Sequence, residues 1–184
     1  MNPLLIVGIV IGLLVLFVIF LYNSLIRLKN NIENSFSQID VQLKRRNDLI
    51  PNLIETVKGY MKHERKLLEN ITKARTSILK AKTVESKSKA SNMLSETLKS
   101  LFAVSENYPK LRANENFLQL QEEISGTENK IAYSRQHYND VVMEFNTKIE
   151  TFPNKIFADI LKFTKKPLFE AAEGERKNIK VKFE

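Results

Sequence analysis

From Leu4 to Tyr22 the sequence reads LLIVGIVIGLLVLFVIFLY, and no Lys, Arg, Asp or Glu occurs before Arg27. As a helix this run is about 28 Å long at ~1.5 Å per residue, close to the ~30 Å hydrocarbon core of a bilayer. A helix without a polar face must bury every side or sit in lipid, and a small domain seldom offers the first option. A cleaved signal peptide needs a charged start, a shorter apolar region and a small-x-small cleavage site. Met1-Asn2-Pro3 carries no cation, the run is too long, and Tyr22-Asn23-Ser24-Leu25 is a poor cleavage site. Residues 1–23 therefore read as a retained transmembrane anchor, with the bilayer contacted through residues 4–22. Arg27 and Lys29 lie just beyond it. Positive-inside counting then expects a single-pass cell-membrane protein, amino terminus outside and C-terminal domain cytoplasmic.

The remaining residues suit one ordinary domain. There is no cysteine, which removes disulfides, thiolate metal sites and a cysteine nucleophile from consideration. The charge is basic, 29 Lys and Arg against 21 Asp and Glu, yet unevenly spread. Residues 24–89 carry 15 basic and 7 acidic side chains, whereas residues 90–154 carry 6 and 9. The cations are dispersed and no zinc-finger, recognition-helix or aromatic RNA-binding signature accompanies them, so nucleic acid is not expected as a partner.

Beyond the anchor, apolar residues recur every seven positions. One line is Leu25, Ile32, Ile39, Arg46, Leu53, Tyr60, Leu67, Ala74 and Ala81; the other is Phe36, Leu43, Ile50, Val57, Glu64, Ile71 and Ile78. Alternating steps of three and four make one narrow helical seam, as in coiled coils and long bundles. Pro51 interrupts it by withdrawing the amide that would bond to the Asn47 carbonyl. A reversal near Arg46–Pro51 would let the chain bury Ile32, Phe36, Ile39 and Leu43 on itself and is the preferred reading; the unbroken heptad phase argues for a kink. Residues 82–89 (KTVESKSK) read as a polar connection. A third helix follows on Met93, Leu94, Leu98, Leu101 and Phe102, and Tyr108-Pro109 must end it. The fourth carries Phe117, Ile124, Ile131, Tyr138, Phe145 and Phe152, with Gly126 in its middle as a site of close packing or bending. The expected fold is all-α: a single N-terminal transmembrane helix followed by a long up-and-down four-helix bundle over 24–153. Residues 154–184 read as an amphipathic segment (Ile156, Phe157, Ile160, Leu161, Phe163) and an extended tail ending in the alternating Ile179–Phe183.

Three stretches carry a resemblance. QIDVQLKRRNDLIPNLIETVKGYMKHE (38–64), SENYPKLRANENFLQLQEE (105–123) and TENKIAYSRQHYNDVVMEFNTKIETFP (127–153) resemble the LemA family, in the right order and over nearly the whole chain. The resemblance implies a bacterial membrane protein, anchored at its amino terminus, with a long up-and-down helical bundle. It implies no reaction.

Four charged residues stand in or beside the apolar lines: Arg46, Glu64, Glu128 and Arg135. Two acids and two bases that pair inside the bundle would fix helix register; a polar pocket for a ligand is the competing use. Pairing is the favoured reading. No metal or other cofactor is expected, because His63 and His137 lack a Glu three residues earlier and His63-Glu64 lacks a second histidine at Leu67. No strand–turn–helix context supports a nucleophilic serine. The expected function is a membrane-anchored interaction or scaffold module without catalysis of its own, acting on an unidentified protein partner, with self-association open. The alternative is a bundle enzyme or small-ligand sensor built on the four-charge cluster.

Overall fold

The computed structural model describes residues 3–170. The expected all-α class holds. Six helices follow in order: α1 (Pro3–Lys58), α2 (Arg65–Lys80), α3 (Val84–Ser105), α4 (Pro109–Arg112), α5 (Glu115–Glu150) and α6 (Asn154–Ile160), with no strand among the described residues. The alternating segment Ile179–Phe183 lies outside them.

The apolar run is not a separate element. It is the first third of α1, a 56-residue helix that is long and apolar enough near its start to cross a membrane. Leu4–Leu16 are exposed throughout, whereas Leu21, Leu25, Leu28 and Ile32 are buried.

The reversal expected at Arg46–Pro51 does not occur. The helix continues through Pro51 to Lys58, and the turn comes at Gly59–Glu64. Proline inside a helix orphans the carbonyl four residues earlier. Here Arg75 Nε of α2 donates to the Asn47 carbonyl at 3.2 Å and replaces the missing bond. The connection expected at 82–89 is also shorter. Thr83 and Ser86 form a capping box, in which Ser86 N–H donates to Thr83 Oγ1 at 3.2 Å and Thr83 N–H donates to Ser86 Oγ at 3.0 Å. Two orphan amides are thereby satisfied and α3 starts at Val84. Met93, assigned to the core of that helix, is exposed, as is Phe152 at 84 % beyond the end of α5. Gly126 is exposed, and a Cβ there would meet nothing within 4 Å, so close packing is not its reason.

The chain divides into two compact units. Residues 38–135 with 169–170 make the larger one. There Ile50, Leu53 and Val57 of α1, Ile71, Ala74 and Ile78 of α2, Ala90, Leu94, Leu98 and Leu101 of α3, and Phe117 and Ile124 of α5 share one core. α5 begins on Asn114, whose Oδ1 accepts from the Phe117 amide at 3.0 Å.

Residues 3–37 with 136–168 make the other. Only α1 and α5 supply long helices here. α6 and the extended segment after it cover the pair. Tyr138 Oη donates to the Pro167 carbonyl at 2.9 Å. Asn146 clamps Lys166 with two bonds, Nδ2 to its carbonyl at 2.9 Å and Oδ1 from its amide at 2.8 Å. Phe163 sits 6.2 Å from Phe145, ring centre to ring centre.

Candidate functional site

Arg46 is fully buried on α1, facing α3 and α5. Few residues are rarer inside a protein, and burial is tolerated only with charge pairing and filled hydrogen bonds. Nη1 pairs with Glu128 Oε2 of α5 and donates to Ser95 Oγ at 2.8 Å. Nη2 donates to Ser91 Oγ at 3.0 Å and to the Ser91 carbonyl at 3.3 Å. Ser95 Oγ in turn lies 2.6 Å from Glu128 Oε1, so the carboxylate is held on both oxygens. Burial pushes the Arg46 guanidinium below its ordinary range; Glu128 opposes that by charge and hydrogen bond, and the cation of Arg135 adds to it.

The α3 side of this arrangement escaped the sequence reading. Ser88, Ser91 and Ser95 lie three and four residues apart, the spacing that continues into Leu98 and Leu101. A run of serines in phase with an apolar seam is the signal: small hydroxyl side chains leave room for a long cation and supply its acceptors.

Arg135 stands close enough to act on Arg46 electrostatically but spends its contacts elsewhere. Its guanidinium lies 5.1 Å from the ring centre of buried Phe169, and Nη2 donates to the Glu170 carbonyl at 3.0 Å. The same carbonyl accepts from Ser88 Oγ at 2.7 Å and Asn92 Nδ2 at 3.3 Å. Arg135 thus fastens the end of the extended segment onto α3 and α5.

Glu64 does not join the cluster. It precedes α2 in the turn after α1, where Tyr108 Oη donates to its Oε1 at 3.3 Å. Desolvation, followed by the charge of Glu64 and this bond, holds the Tyr108 phenol above its ordinary range. Nearby, Asn114 Nδ2 donates to Tyr60 Oη at 3.3 Å, so two polar pairs join the turn at 59–64 to the turn at 108–114. His63 and His137 are both exposed.

A cavity of about 200 Å³ opens beside the ion pair, lined by Ser95, Leu98, Phe102, Ile124, Glu128 and neighbouring polar residues. Ligand sites typically need roughly 300–1,000 Å³. Its polar lining is Ser95, Lys99, Ser125, Glu128 and Asn129, of which Glu128 and Ser95 are already engaged with Arg46 and with each other. This arrangement links α1, α3 and α5 through their side chains.

A larger hollow of about 580 Å³ lies along α1 and α2. Ile54, Met61 and Leu68 line it with Lys58, Lys62 and Lys73.

The model of the LemA family matches residues 35–183. Among curated proteins, the chain is similar to Protein LemA of Metamycoplasma hominis, with 32 % identity over 162 residues that cover 85 % of this chain and 72 % of that one. The match takes in Arg46, Ser91, Ser95 and Glu128, the residues that tie three helices together, along with the turns at 59–64 and 108–114. On the length of the match and the identity to this relative, the chain belongs to the LemA family.

Proposed function

We propose that this chain is a membrane-tethered interaction module: residues 4–22 cross a bilayer once, residues beyond them form a helical platform in the cytoplasm, and the platform docks a protein partner without catalysis of its own. The observation that carries this reading is the division of α1. Its first part, Leu4–Leu16, is apolar and uncovered, and the same helix then enters a packed interior at Leu21 and Leu25. An exposed apolar surface of that extent is matched by lipid. Arg27 and Lys29 support the cytoplasmic orientation.

The absence of catalysis rests on how the charges are used. Arg46 and Glu128 are paired with each other, although the buried Arg46 Nε has no hydrogen-bond partner among the described residues, and the cavity beside them is smaller than a substrate site. The hollow along α1 and α2 is better suited to a partner. Its apolar floor is bordered by Lys58, Lys62, Arg65 and Lys73; Glu69 in the lining is paired with Arg65 at 3.0 Å, and Glu55 beyond it with Lys58 at 3.7 Å, so cations outnumber acids around it. A partner segment that sets acidic side chains beside apolar ones complements it.

The test uses the full chain in its own membranes. A photo-cross-linking residue at Thr72 should give a discrete protein adduct, and Lys58→Glu with Lys62→Glu should abolish it while the chain stays membrane-bound. A reporter active only outside the membrane, fused after Glu184, should be silent. No adduct from Thr72, or one indifferent to the charge reversal, removes the docking role. An active reporter reverses the orientation.

A further inference from the structure

Where the apolar part of α1 gives way to packed helix, the unit built from residues 3–37 and 136–168 carries an open cavity of about 470 Å³. Phe17, Phe20 and Leu21 make its apolar part; Arg27, Lys148 and Asn154 bring polar groups to it. Lys148 is fixed there by donating from Nζ to Ser24 Oγ at 2.6 Å. No Asp or Glu lines the cavity. Two acids on adjoining segments are engaged with other cations, Glu150 with Lys165 at 2.6 Å and Asp159 with Lys155 at 3.6 Å, and Glu144 of α5 and Glu33 of α1 lie outside the cavity lining. Two cations therefore face an apolar floor in a cavity whose lining, among the described residues, holds no carboxylate.

The position along α1 specifies the depth. Phe17 lies five residues before Tyr22, about 7.5 Å toward the centre of the span at ~1.5 Å per residue. α6 reaches down to that level, since Phe157 packs edge-on against Phe17 with ring centres 5.6 Å apart, and Phe163 approaches Tyr22 at 6.3 Å. Ile156 and Ile160, four residues apart on α6, are exposed, as is Phe152 in the turn before it. Interfacial segments bury an apolar side by roughly 5–10 Å at the boundary between headgroups and acyl chains, which is the depth of this contact.

We infer that this cavity is a headgroup site for an anionic phospholipid, with Arg27 and Lys148 holding the phosphate and its charge, Phe17, Phe20 and Leu21 flanking the upper acyl chains, and the exposed Ile156 and Ile160 of α6 seated in the same leaflet. The inference rests on the proposal that residues 4–22 cross a bilayer. An occupant of this cavity must be apolar below and anionic above, and a lipid of the surrounding leaflet meets both demands. A cation near an anionic bilayer surface contributes about fivefold in binding, which sets the scale of the effects below.

Full-length protein in a non-ionic detergent is titrated with phosphatidylglycerol or phosphatidylcholine, and the lipid-bound fraction is read by native mass spectrometry. Phosphatidylglycerol should bind about tenfold more tightly or better, and Arg27→Gln with Lys148→Gln should erase that preference. Arg27→Gln alone, at an exposed position, should lose about fivefold. Lys29→Gln with Lys166→Gln removes the same charge outside the cavity and should change the preference by less than about twofold. Equal binding of the two lipids, or equal losses in the two double variants, overturns the site. Displacement of phosphatidylglycerol by millimolar inorganic phosphate would make it a free-anion site and overturns the lipid assignment. Alkaline carbonate extraction of the same chain reads the anchor separately: a chain that stays in the membrane yet shows no lipid preference refutes the headgroup site alone, and a chain that extracts refutes both.

Discussion

Residues 38–135 and residues 3–37 with 136–168 draw on the same two long helices, α1 and α5, and stabilise them by different means. In the first unit α2 and α3 complete the enclosure, and the core is deep enough to hold a fully buried arginine. In the second, two helices have no helical partners of comparable length, and cover comes from α6 and a segment held through its backbone by Tyr138 and Asn146. The first unit surrounds its seam with further helices. The second covers its seam with a short helix and an extended segment, held by ring contacts and by side chains bonded to its main chain. The difference teaches that a heptad seam fixes where a helix is covered and leaves open what covers it.

The largest expected effect lies in the unit of residues 38–135. Glu128→Ala leaves the Arg46 charge buried and unopposed, and should cost about 3–5 kcal/mol in urea unfolding of the full chain in non-ionic micelles. Replacing both partners with methionine should cost less than Glu128→Ala alone, because no buried charge then remains. Hydrogen exchange should show the loss of protection within 38–135. A cost below about 1 kcal/mol would mean that the pair behaves like an exposed one.

The next effect probes the other unit. Asn146→Ala removes both bonds to Lys166 and should cost about 2 kcal/mol, at ~1 per bond. Faster exchange should appear at 161–168 and spare 38–135. Loss of protection throughout the chain would erase the distinction between the units.

The smallest effect is stabilising. Gly126 is helical, exposed and unencumbered. Gly126→Ala should raise stability by about 0.5–1 kcal/mol, through the lower chain entropy of the unfolded state. A loss in thermal unfolding would require a packing role for the glycine.

Much of the first unit was legible before folding, because Ile39, Leu43, Ile50, Leu53 and Val57 announce a buried face by spacing alone. Arg46 was legible as a charge on that face. Its partner Glu128 was named among four candidates, but Ser91 and Ser95 were not, since serine in a seam reads equally well as a solvated residue. Glu64 illustrates the opposite error. Its heptad phase continues from Val57 by arithmetic, although the chain turns at 59–64 and phase has no meaning across a turn. The cover of the second unit was hidden for a simpler reason. Its acceptors are the carbonyls of Lys166 and Pro167, and a carbonyl leaves no mark on the sequence.

Pro51 and Arg75 add a consequence for how the hairpin of α1 and α2 chooses its alignment. Two amphipathic helices can slide past each other by one turn, about 5.4 Å, and still match apolar residues to apolar residues. Here one carbonyl in α1, at Asn47, has been deprived of its local donor, and a single side chain in α2 meets it. A one-turn slip would carry Arg75 away and strand that oxygen. The proline that weakens the helix locally thus acts as a keyway, and the arginine as its key: a backbone defect in one segment becomes the address at which the next segment stops.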